Sequence, residues 1–456
     1  MEMDVSFFQE ILAKISDQGR RILDLSSLTA VDDSGSLQEL CQALVSSRGE
    51  ASGVALASHI LDLYRQAANT ERDYFFSFLA RHFIPDASKV QIAAAEYVRN
   101  PGREALESLM ECVESPRQEL FRRLNLAPGG TAALVRMRAD LLKSLRQNPE
   151  LASVDRDFIH LFSSWFNRGF LVLARLSWSS PASILEKIIA YEAVHKIDGW
   201  DDLRRRLDPR DRRCFAFFHP ALVDDPLIFV EVALGSGIPA SIRTLLNSGD
   251  AAGNAAIEPS AAIFYSISNC QEGLRGISFG NFLIKQVVED LSRDIPSLRV
   301  FVTLSPLPGF RTWLCKALDA KELDYLTETQ IVRLARLAFE GWREQDAQGE
   351  TEPAMLAAAA HYLLLARDAG GKPLDPVARF HLGNGARLER INWLADTSDK
   401  GVQQSLSLMV NYRYDLKDIE RNHEAYVNRG EIAASKSVRA YLPAPAKSRA
   451  LFPAQE

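Results

Sequence analysis

For its first 175 or so residues the chain repeats apolar side chains at helical spacing and nowhere alternates them at the spacing of a strand. Phe8, Ile11, Leu12 and Ile15 recur at i, i+3, i+4 and i+7, which puts them on one helix face. Leu134, Met137, Leu141, Leu142 and Leu145 do the same after Pro128-Gly129-Gly130. Asn100-Pro101-Gly102 and Ser115-Pro116 break the run. This pattern predicts a bundle of antiparallel helices joined by short loops. No internal repeat of fixed period is present.

The character changes near Trp178-Ser179-Ser180-Pro181. Ser180 is expected to cap a helix, with Pro181 at its first position, where the missing N–H has no intrahelical partner anyway. That helix would run through Ile184, Leu185, Ile188 and Ile189 to about Val194. Beyond it, residues 214–218, 227–234, 261–268 and 299–304 are short runs rich in β-branched and aromatic side chains, which read as strands. Helical patterns lie between and after them, at 281–294, 309–319, 322–345 and 353–367. The second region is therefore mixed α and β around one sheet. The 456 residues divide into a helical domain, 1–175, and a mixed domain, 176–456. The stretch after Tyr441 has two prolines, no periodicity and the look of an extended or disordered end.

Charge and composition exclude several classes. Lys and Arg total 53 against 59 Asp and Glu, a net charge of −6, so no general nucleic-acid surface is expected. No apolar run approaches the length of a membrane span, and no membrane association is expected. The acidic start Met1-Glu2-Met3-Asp4 is unlike a secretory or mitochondrial leader. The end, Pro453-Ala454-Gln455-Glu456, is neither a prenylation box nor a peroxisomal tripeptide, which leads to a cytoplasmic expectation. The five cysteines, Cys41, Cys112, Cys214, Cys270 and Cys315, form no Cys-x-x-Cys pair and read as reduced, mostly buried thiols. No histidine cluster has metal-ligand spacing, so no metal is expected.

Six segments carry candidate chemistry. The first is the glycine-rich turn after Ser268, which includes Gly273, Arg275, Gly276, Ile277, Ser278, Phe279, Gly280 and Asn281 and leads into a helix. Glycines let backbone N–H groups converge, and a helix start adds positive potential, an arrangement suited to a pyrophosphate. It is neither a Walker A loop nor the dinucleotide fingerprint, so a plain strand-to-helix turn stays open beside the phosphate reading. Ser305 stands at a strand end between Leu304 and Pro306, as either a catalytic hydroxyl or a turn residue. His381, in a Gly- and Asn-rich turn, and His219, at another strand end, are each either a proton-transfer group or a structural hydrogen-bonder. Tyr414, in Asn411-Tyr412-Arg413-Tyr414, is a core or rim tyrosine or one aimed into a pocket. The run Arg204-Arg205-Arg206, with Arg210, Arg212 and Arg213, reads as a solvated face, or as an attractor for an anionic ligand.

Taken together the segments resemble the malonyl-CoA decarboxylase family. The resemblance rests on Glu186-Lys187-Ile188-Ile189-Ala190-Tyr191-Glu192-Ala193-Val194-His195, Phe218-His219-Pro220-Ala221-Leu222 and Ala262-Ile263-Phe264-Tyr265-Ser266-Ile267-Ser268. It continues through Gly273-Leu274-Arg275-Gly276 with Gly280, and Leu304-Ser305-Pro306-Leu307-Pro308-Gly309-Phe310. Phe380-His381-Leu382 with Asn384-Gly385-Ala386, Arg390-Ile391-Asn392-Trp393 and Asn411-Tyr412-Arg413-Tyr414 complete it, in order over about 180 to 420.

The resemblance implies an α+β chain: an N-terminal all-α bundle that takes part in oligomerisation, then a mixed α/β acyl-CoA-binding catalytic domain with the fold of the GNAT acetyltransferases. In that fold coenzyme A lies between two splayed parallel strands, its pyrophosphate on the turn after the first. Here the turn would be Arg275, Gly276, Ile277, Ser278, Phe279, Gly280 and Asn281, although Gly276-x-x-x-Gly280 departs from the usual acetyltransferase spacing. The family's catalytic serine falls on Ser305, its histidine on His381, and a tyrosine near the reacting end on Tyr414. The implied reaction takes malonyl-CoA to acetyl-CoA and CO2 without metal or organic cofactor, in a homo-oligomer, dimer or tetramer. The expected course is loss of CO2 to an enolate that His381 protonates. An acyl-CoA-dependent acetyltransferase on the same fold, or a non-catalytic malonyl-CoA binder, are the alternatives.

Overall fold

The structure is a computed structural model that describes residues 36–46, 50–222, 224–247, 258–277, 279, 283–340 and 351–442. The helix expected around Phe8 and Ile15, and the tail from residue 443, lie outside the described residues. The chain forms two compact units. One comprises Met1–Ala174 with Phe217–Ile228 and Asn269–Gly280; the other comprises Arg175–Ala216, Phe229–Ser268 and Asn281–Glu456.

The described helices of the first unit are α1 (Ser36–Val45), α2 (Glu50–Gln66), α3 (Asn69–His82), α4 (Ala87–Arg99), α5 (Arg103–Val113), α6 (Pro116–Asn125), α7 (Gly130–Ser144) and α8 (Ala152–Trp165). Their boundaries follow the breakers. Ser115 caps α6 by accepting from Arg117 N, with Pro116 at the first position. Gly129 takes φ 71° before α7, a conformation that favours glycine. The predicted face of α7 buries Leu134, Met137 and Leu141. Phe121 stacks on Phe158 at 4.1 Å between α6 and α8. Arg117, nearly buried, pairs with Asp157 at 2.6 Å and donates to Leu79 O, so its charge is met on two sides.

The sheet begins earlier than expected, with β1 (Val172–Leu176) at the end of the supposedly all-helical stretch. Next come α9 (Ala182–Tyr191), α10 (Trp200–Leu207), β2 (Arg212–Phe218), β3 (Pro226–Gly235), α11 (Ile242–Asn247) and β4 (Ala261–Asn269). They are followed by α12 (Leu283–Asp294), β5 (Val300–Thr303), β6 (Ser305–Pro306), α13 (Phe310–Asp319), α14 (Glu328–Glu340) and α15 (Thr351–Leu364). The remaining elements are α16 (Pro376–Gly383), β7 (Arg387–Asn392), α17 (Asp399–Ser405), β8 (Met409–Tyr414), α18 (Ile419–Arg429) and α19 (Lys436–Arg439).

The strands join in the order β1-β2-β3-β4-β5-β8-β6, with β7 on β8. This is the α+β organisation the sequence implied: helices, then a mixed sheet with helices around it. β3 is buried along nearly all its length, the mark of a strand covered on both faces. Ile263, Tyr265, Val302, Leu304, Ala395 and Met409 form part of the core on one face of the sheet.

The parallel pair β4–β5 sets the geometry of the site. Ala261 through Phe264 pair with Val300 through Thr303, and Leu304 N still donates to Phe264 O. There the pairing stops, while β4 runs on to Asn269. On its other side β5 pairs antiparallel with β8, Phe301 with Tyr414 and Val302 with Arg413, and the chain stays on β8 beyond it, where Ser305 pairs with Val410 and Pro306 with Met409. Two parallel strands thus diverge, as the resemblance implied.

Two local expectations are corrected. Helix α9 starts at Ala182 with Pro181 as its cap, because the Ser180 hydroxyl folds back to accept from Ser177 N. It stops at Tyr191 rather than Val194, since the Glu192 carboxylate accepts from Val194 N and His195 N and turns the chain out of the helix. The arginine run is not a uniformly solvated face. Arg206 is buried against Glu231 and Asp202, and Arg212 is buried against Asp211. All five cysteines are free thiols; Cys41, Cys214 and Cys270 are buried.

Candidate active site

Ser305, His381 and Tyr414 come from β6, α16 and β8 and meet in one hydrogen-bonded chain. Ser305 Oγ lies 3.0 Å from His381 Nε2, and His381 Nδ1 lies 2.8 Å from the Tyr414 hydroxyl. All three residues are buried. His381 does not sit on an open loop. It occupies the last turn of α16, which Asp375 caps by accepting from Ala378 N at 2.8 Å.

The direction of the chain of protons follows from donor counting. The Ser305 hydroxyl donates to Thr303 Oγ1 at 2.9 Å. Its lone pair then accepts from His381 Nε2–H, and Nδ1 accepts from the Tyr414 O–H. The opposite tautomer would leave the buried Tyr414 proton without an acceptor. Burial holds His381 neutral by pushing it down from 6.5 to about 3, and it holds the Tyr414 phenol protonated by raising it well above its usual range. The site therefore presents a neutral imidazole with its proton on the nitrogen that faces the serine.

Three residues that sequence reasoning did not single out complete this arrangement. Tyr412 stacks on the His381 ring at 4.5 Å and 25°. Thr303 accepts from Ser305 and also from Tyr412 N at 3.1 Å, so its hydroxyl replaces a missing ladder bond between β5 and β8. Asn411 Nδ2 donates to Thr303 O at 2.8 Å, and Asn411 Oδ1 accepts from Asn392 and Arg390. Thr303 was findable as the residue two before Ser305, on the same strand face. Asn411 and Tyr412 lay inside a quoted motif in which only Tyr414 was assigned a role.

The glycine-rich turn as far as Gly280 belongs to the first unit, as do the residues that anchor it. Residues 272–274 form a short 3-10 turn, and a Cβ at Gly273 would lie 1.8 Å from Val135 O, so only glycine fits against α7 there. Buried Arg138 donates to Gly273 O at 2.7 Å and Arg275 O at 3.0 Å, while Asp155 holds the same guanidinium at 2.8 Å. Gly276 takes φ 81°. The N–H groups of Arg275 and Ile277 close turns onto Glu272 O and Leu274 O, whereas that of Gly276 makes no hydrogen bond among the described residues. Ile277 and Phe279 are buried apolar anchors, and the Arg275 side chain is exposed. Ser278, Gly280 and Asn281 lie outside the described residues.

His219 has a different role. Its Nδ1 accepts from Ala221 N and its Nε2 lies 3.1 Å from Trp165 O, so both ring nitrogens serve the backbone. Among the described residues no group of three or more His, Cys, Asp or Glu side chains could hold a metal ion. None of the described helices is long and apolar enough to cross a membrane.

Comparison with known proteins adds to this geometry. A family profile described as the malonyl-CoA decarboxylase C-terminal domain matches residues 169–452, and one described as the malonyl-CoA decarboxylase N-terminal domain matches residues 83–166. The mitochondrial malonyl-CoA decarboxylase of Anser anser anser is 35% identical over 406 residues, covering 82% of this chain and 80% of that protein. A crystal structure of malonyl-CoA decarboxylase from Rhodopseudomonas palustris is 51% identical, with a TM-score of 0.85 over 89% of this chain and 99% of that one. That from Agrobacterium vitis is 53% identical, with a TM-score of 0.83 over the same shares.

Proposed function

This chain belongs to the malonyl-CoA decarboxylase family and is an enzyme that decarboxylates malonyl-CoA, and on that premise we propose how its residues do so. The observation that carries the reading is the chain Ser305–His381–Tyr414, placed where β4 and β5 part. The malonyl thioester enters that opening. Its C–C bond to the carboxylate breaks, CO2 leaves, and the electron pair moves onto the thioester oxygen as an enolate. The thioester is its own electron sink, so neither a metal nor an organic cofactor is required by the chemistry. The protein must hold the carboxylate out of the thioester plane, so that the breaking bond overlaps the carbonyl π system.

Ser305 fixes the malonyl end by hydrogen bonding. His381 then gives its Nε2 proton to the enolate carbon while Nδ1 takes the Tyr414 proton, so no imidazolate forms. After acetyl-CoA leaves, solvent restores the proton at Nε2 while Nδ1 returns its proton to Tyr414, which resets the starting tautomer. A buried neutral imidazole suits this task, because an enolate carbon is basic enough to take a proton from it. The pyrophosphate of coenzyme A rests on the segment Arg275, Gly276, Ile277, Ser278, Phe279, Gly280 and Asn281, with the N–H of Gly276, which has no partner among the described residues, as one donor. The enzyme works as a homo-oligomer, dimer or tetramer, in the cytoplasm.

Incubation with malonyl-CoA alone tests the reaction. Release of CO2 with formation of acetyl-CoA is expected, and this should vanish in Ser305→Ala. Turnover that begins only when an amine is added would favour an acetyltransferase, and tight binding without turnover a non-catalytic binder. The pyrophosphate assignment has its own test. Gly276→Ala should raise KM for malonyl-CoA several-fold and leave malonyl-pantetheine, which has no pyrophosphate, nearly unaffected. An equal rise for both substrates would refute it.

A further inference from the structure

Ser305 and His381 sit on different elements, β6 and α16, and their 3.0 Å contact needs a device that relates the two. The chain after Ser305 runs through Pro306-Leu307-Pro308 to Gly309, which caps α13. Gly309 has φ −101° and ψ −5°, a conformation open to any residue, so backbone freedom does not explain it. Its surroundings do. A Cβ at Gly309 would lie 2.6 Å from the Tyr362 hydroxyl oxygen, while its next neighbour, also on Tyr362, would be 3.8 Å away. The hydroxyl of one tyrosine is what requires glycine there.

That same hydroxyl donates to Asp375 Oδ2 at 3.2 Å. Asp375 is completely buried, and its other oxygen caps the helix on which His381 rides. The Tyr362 ring is held by Phe310 at 5.6 Å and Trp313 at 5.1 Å, both on α13. One side chain on α15 therefore touches the segment behind the serine and the cap of the helix behind the histidine. We propose that Tyr362 is a positioning residue, whose hydroxyl joins these two supports and so sets the Ser305–His381 contact. The inference rests on the reading of Ser305 and His381 given above.

The cap titrates. Burial pushes the Asp375 carboxyl up to about 6, against the N–H groups of Ala378 and Val377, the Tyr362 hydroxyl and the Arg379 guanidinium. Arg379 faces it from its own helix, Tyr362 from α15 and Tyr412 from β8. Loss of the tyrosine hydroxyl removes a donor to the carboxylate and raises this value further.

The test is a set of four variants in the full chain, with kcat, KM, thermal midpoint and the pH profile of kcat. Tyr362→Phe keeps the ring and is expected to lower kcat about tenfold, the size of a lost hydrogen bond to a buried charge. KM should stay within about twofold, and the acid limb of kcat should move to higher pH. Asp375→Asn still caps the helix but is neutral at every pH, so it should show the lowered kcat of the protonated cap across the whole profile and lose that limb. Gly309→Ala should cost more than Tyr362→Phe, and adding Tyr362→Phe to Gly309→Ala should raise kcat back to the level of Tyr362→Phe alone, because the clashing oxygen is gone.

Normal kcat and an unmoved acid limb in Tyr362→Phe would overturn the proposal. So would a silent Gly309→Ala. Failure of Tyr362→Phe to fold, or a joint loss of kcat, KM and thermal midpoint, would also overturn it, as the mark of an ordinary core residue. Turnover surviving in Ser305→Ala would instead overturn the reading of the site itself, whatever Tyr362 does.

Discussion

Two histidines in this chain look alike in sequence, and the structure separates them. His219 follows β2 and His381 ends α16. Each is flanked by a phenylalanine, and each has both ring nitrogens engaged. His219 accepts from Ala221 N and donates to Trp165 O, against the ring of Phe166. His381 donates to one side-chain hydroxyl and accepts from another. Backbone partners are fixed in place by the fold, so a histidine between them is a clamp. Hydroxyl partners can rotate and exchange protons, so a histidine between them can pass a proton along. The kind of partner, more than burial or count of bonds, distinguishes structural from chemical use.

The strongest way to break this comparison is to remove each ring. His381→Ala is expected to lower kcat by about 10² to 10⁴, the range for losing a positioned general acid, with a smaller effect on KM. His219→Ala should leave kcat within about twofold and lower stability by roughly 1 kcal/mol through its two lost backbone contacts. Steady-state kinetics and urea unfolding on the same preparations would decide it. Comparable losses of kcat in both variants would erase the distinction.

A smaller effect is expected from the outer end of the hydroxyl chain. Tyr414→Phe keeps the ring against Phe264 but leaves His381 Nδ1 buried without a donor. The histidine then has no reason to keep its proton on Nε2, and kcat should fall on the order of 100-fold. Unchanged kcat would mean that the proton reaches His381 by another route.

Much of the site was legible because it sits in short motifs with distinct chemistry. Ser305 between a strand and two prolines, His381 before Gly383-Asn384-Gly385 and Tyr414 in a tyrosine pair could all be placed from the sequence. Their mutual contact could not, since Ser305 and His381 are 76 positions apart and only the β8 pairing and α16 bring them together. Thr303 and Tyr412 were missed for a related reason. The bond between them fills a gap in the ladder between β5 and β8, and while spacing alone puts Thr303 on the face of Ser305, the gap itself leaves no mark on local periodicity. β7 and β8 were harder to see than β3, because β3 is a continuous apolar run whereas β7 carries Arg387, Glu389 and Arg390. Arg206 and Arg212 misled for the opposite reason. Composition marks arginine as a surface residue, and only tertiary carboxylates such as Glu231 allow it inside.

The finest test of the comparison uses protons rather than truncation. Burial lowers His381 from 6.5 to about 3, and lowers His219 less, as it is only partly covered. The sign is fixed by linkage. Between pH 6.5 and 3 the unfolded chain binds a proton at His381 that the folded chain refuses, so stability from this group is complete above 6.5 and lost as pH falls. From pH 7 to pH 5 the loss is about 2 kcal/mol for a group that stays neutral when folded. Asp375 works the other way, since its raised carboxyl favours the folded state more as pH falls toward 4, and His195, lowered to about 4, adds to the histidine effect. Both contributions cancel when a single variant is compared with the parent. His381→Gln, neutral at every pH, should therefore lose less stability than the parent between pH 7 and pH 5, and His219→Gln should differ from the parent by less than His381→Gln does. Urea midpoints at the two pH values measure this. Equal pH dependence in parent and His381→Gln would show that the His381 ring takes up a proton in the folded state, and with it the neutral proton donor would fall.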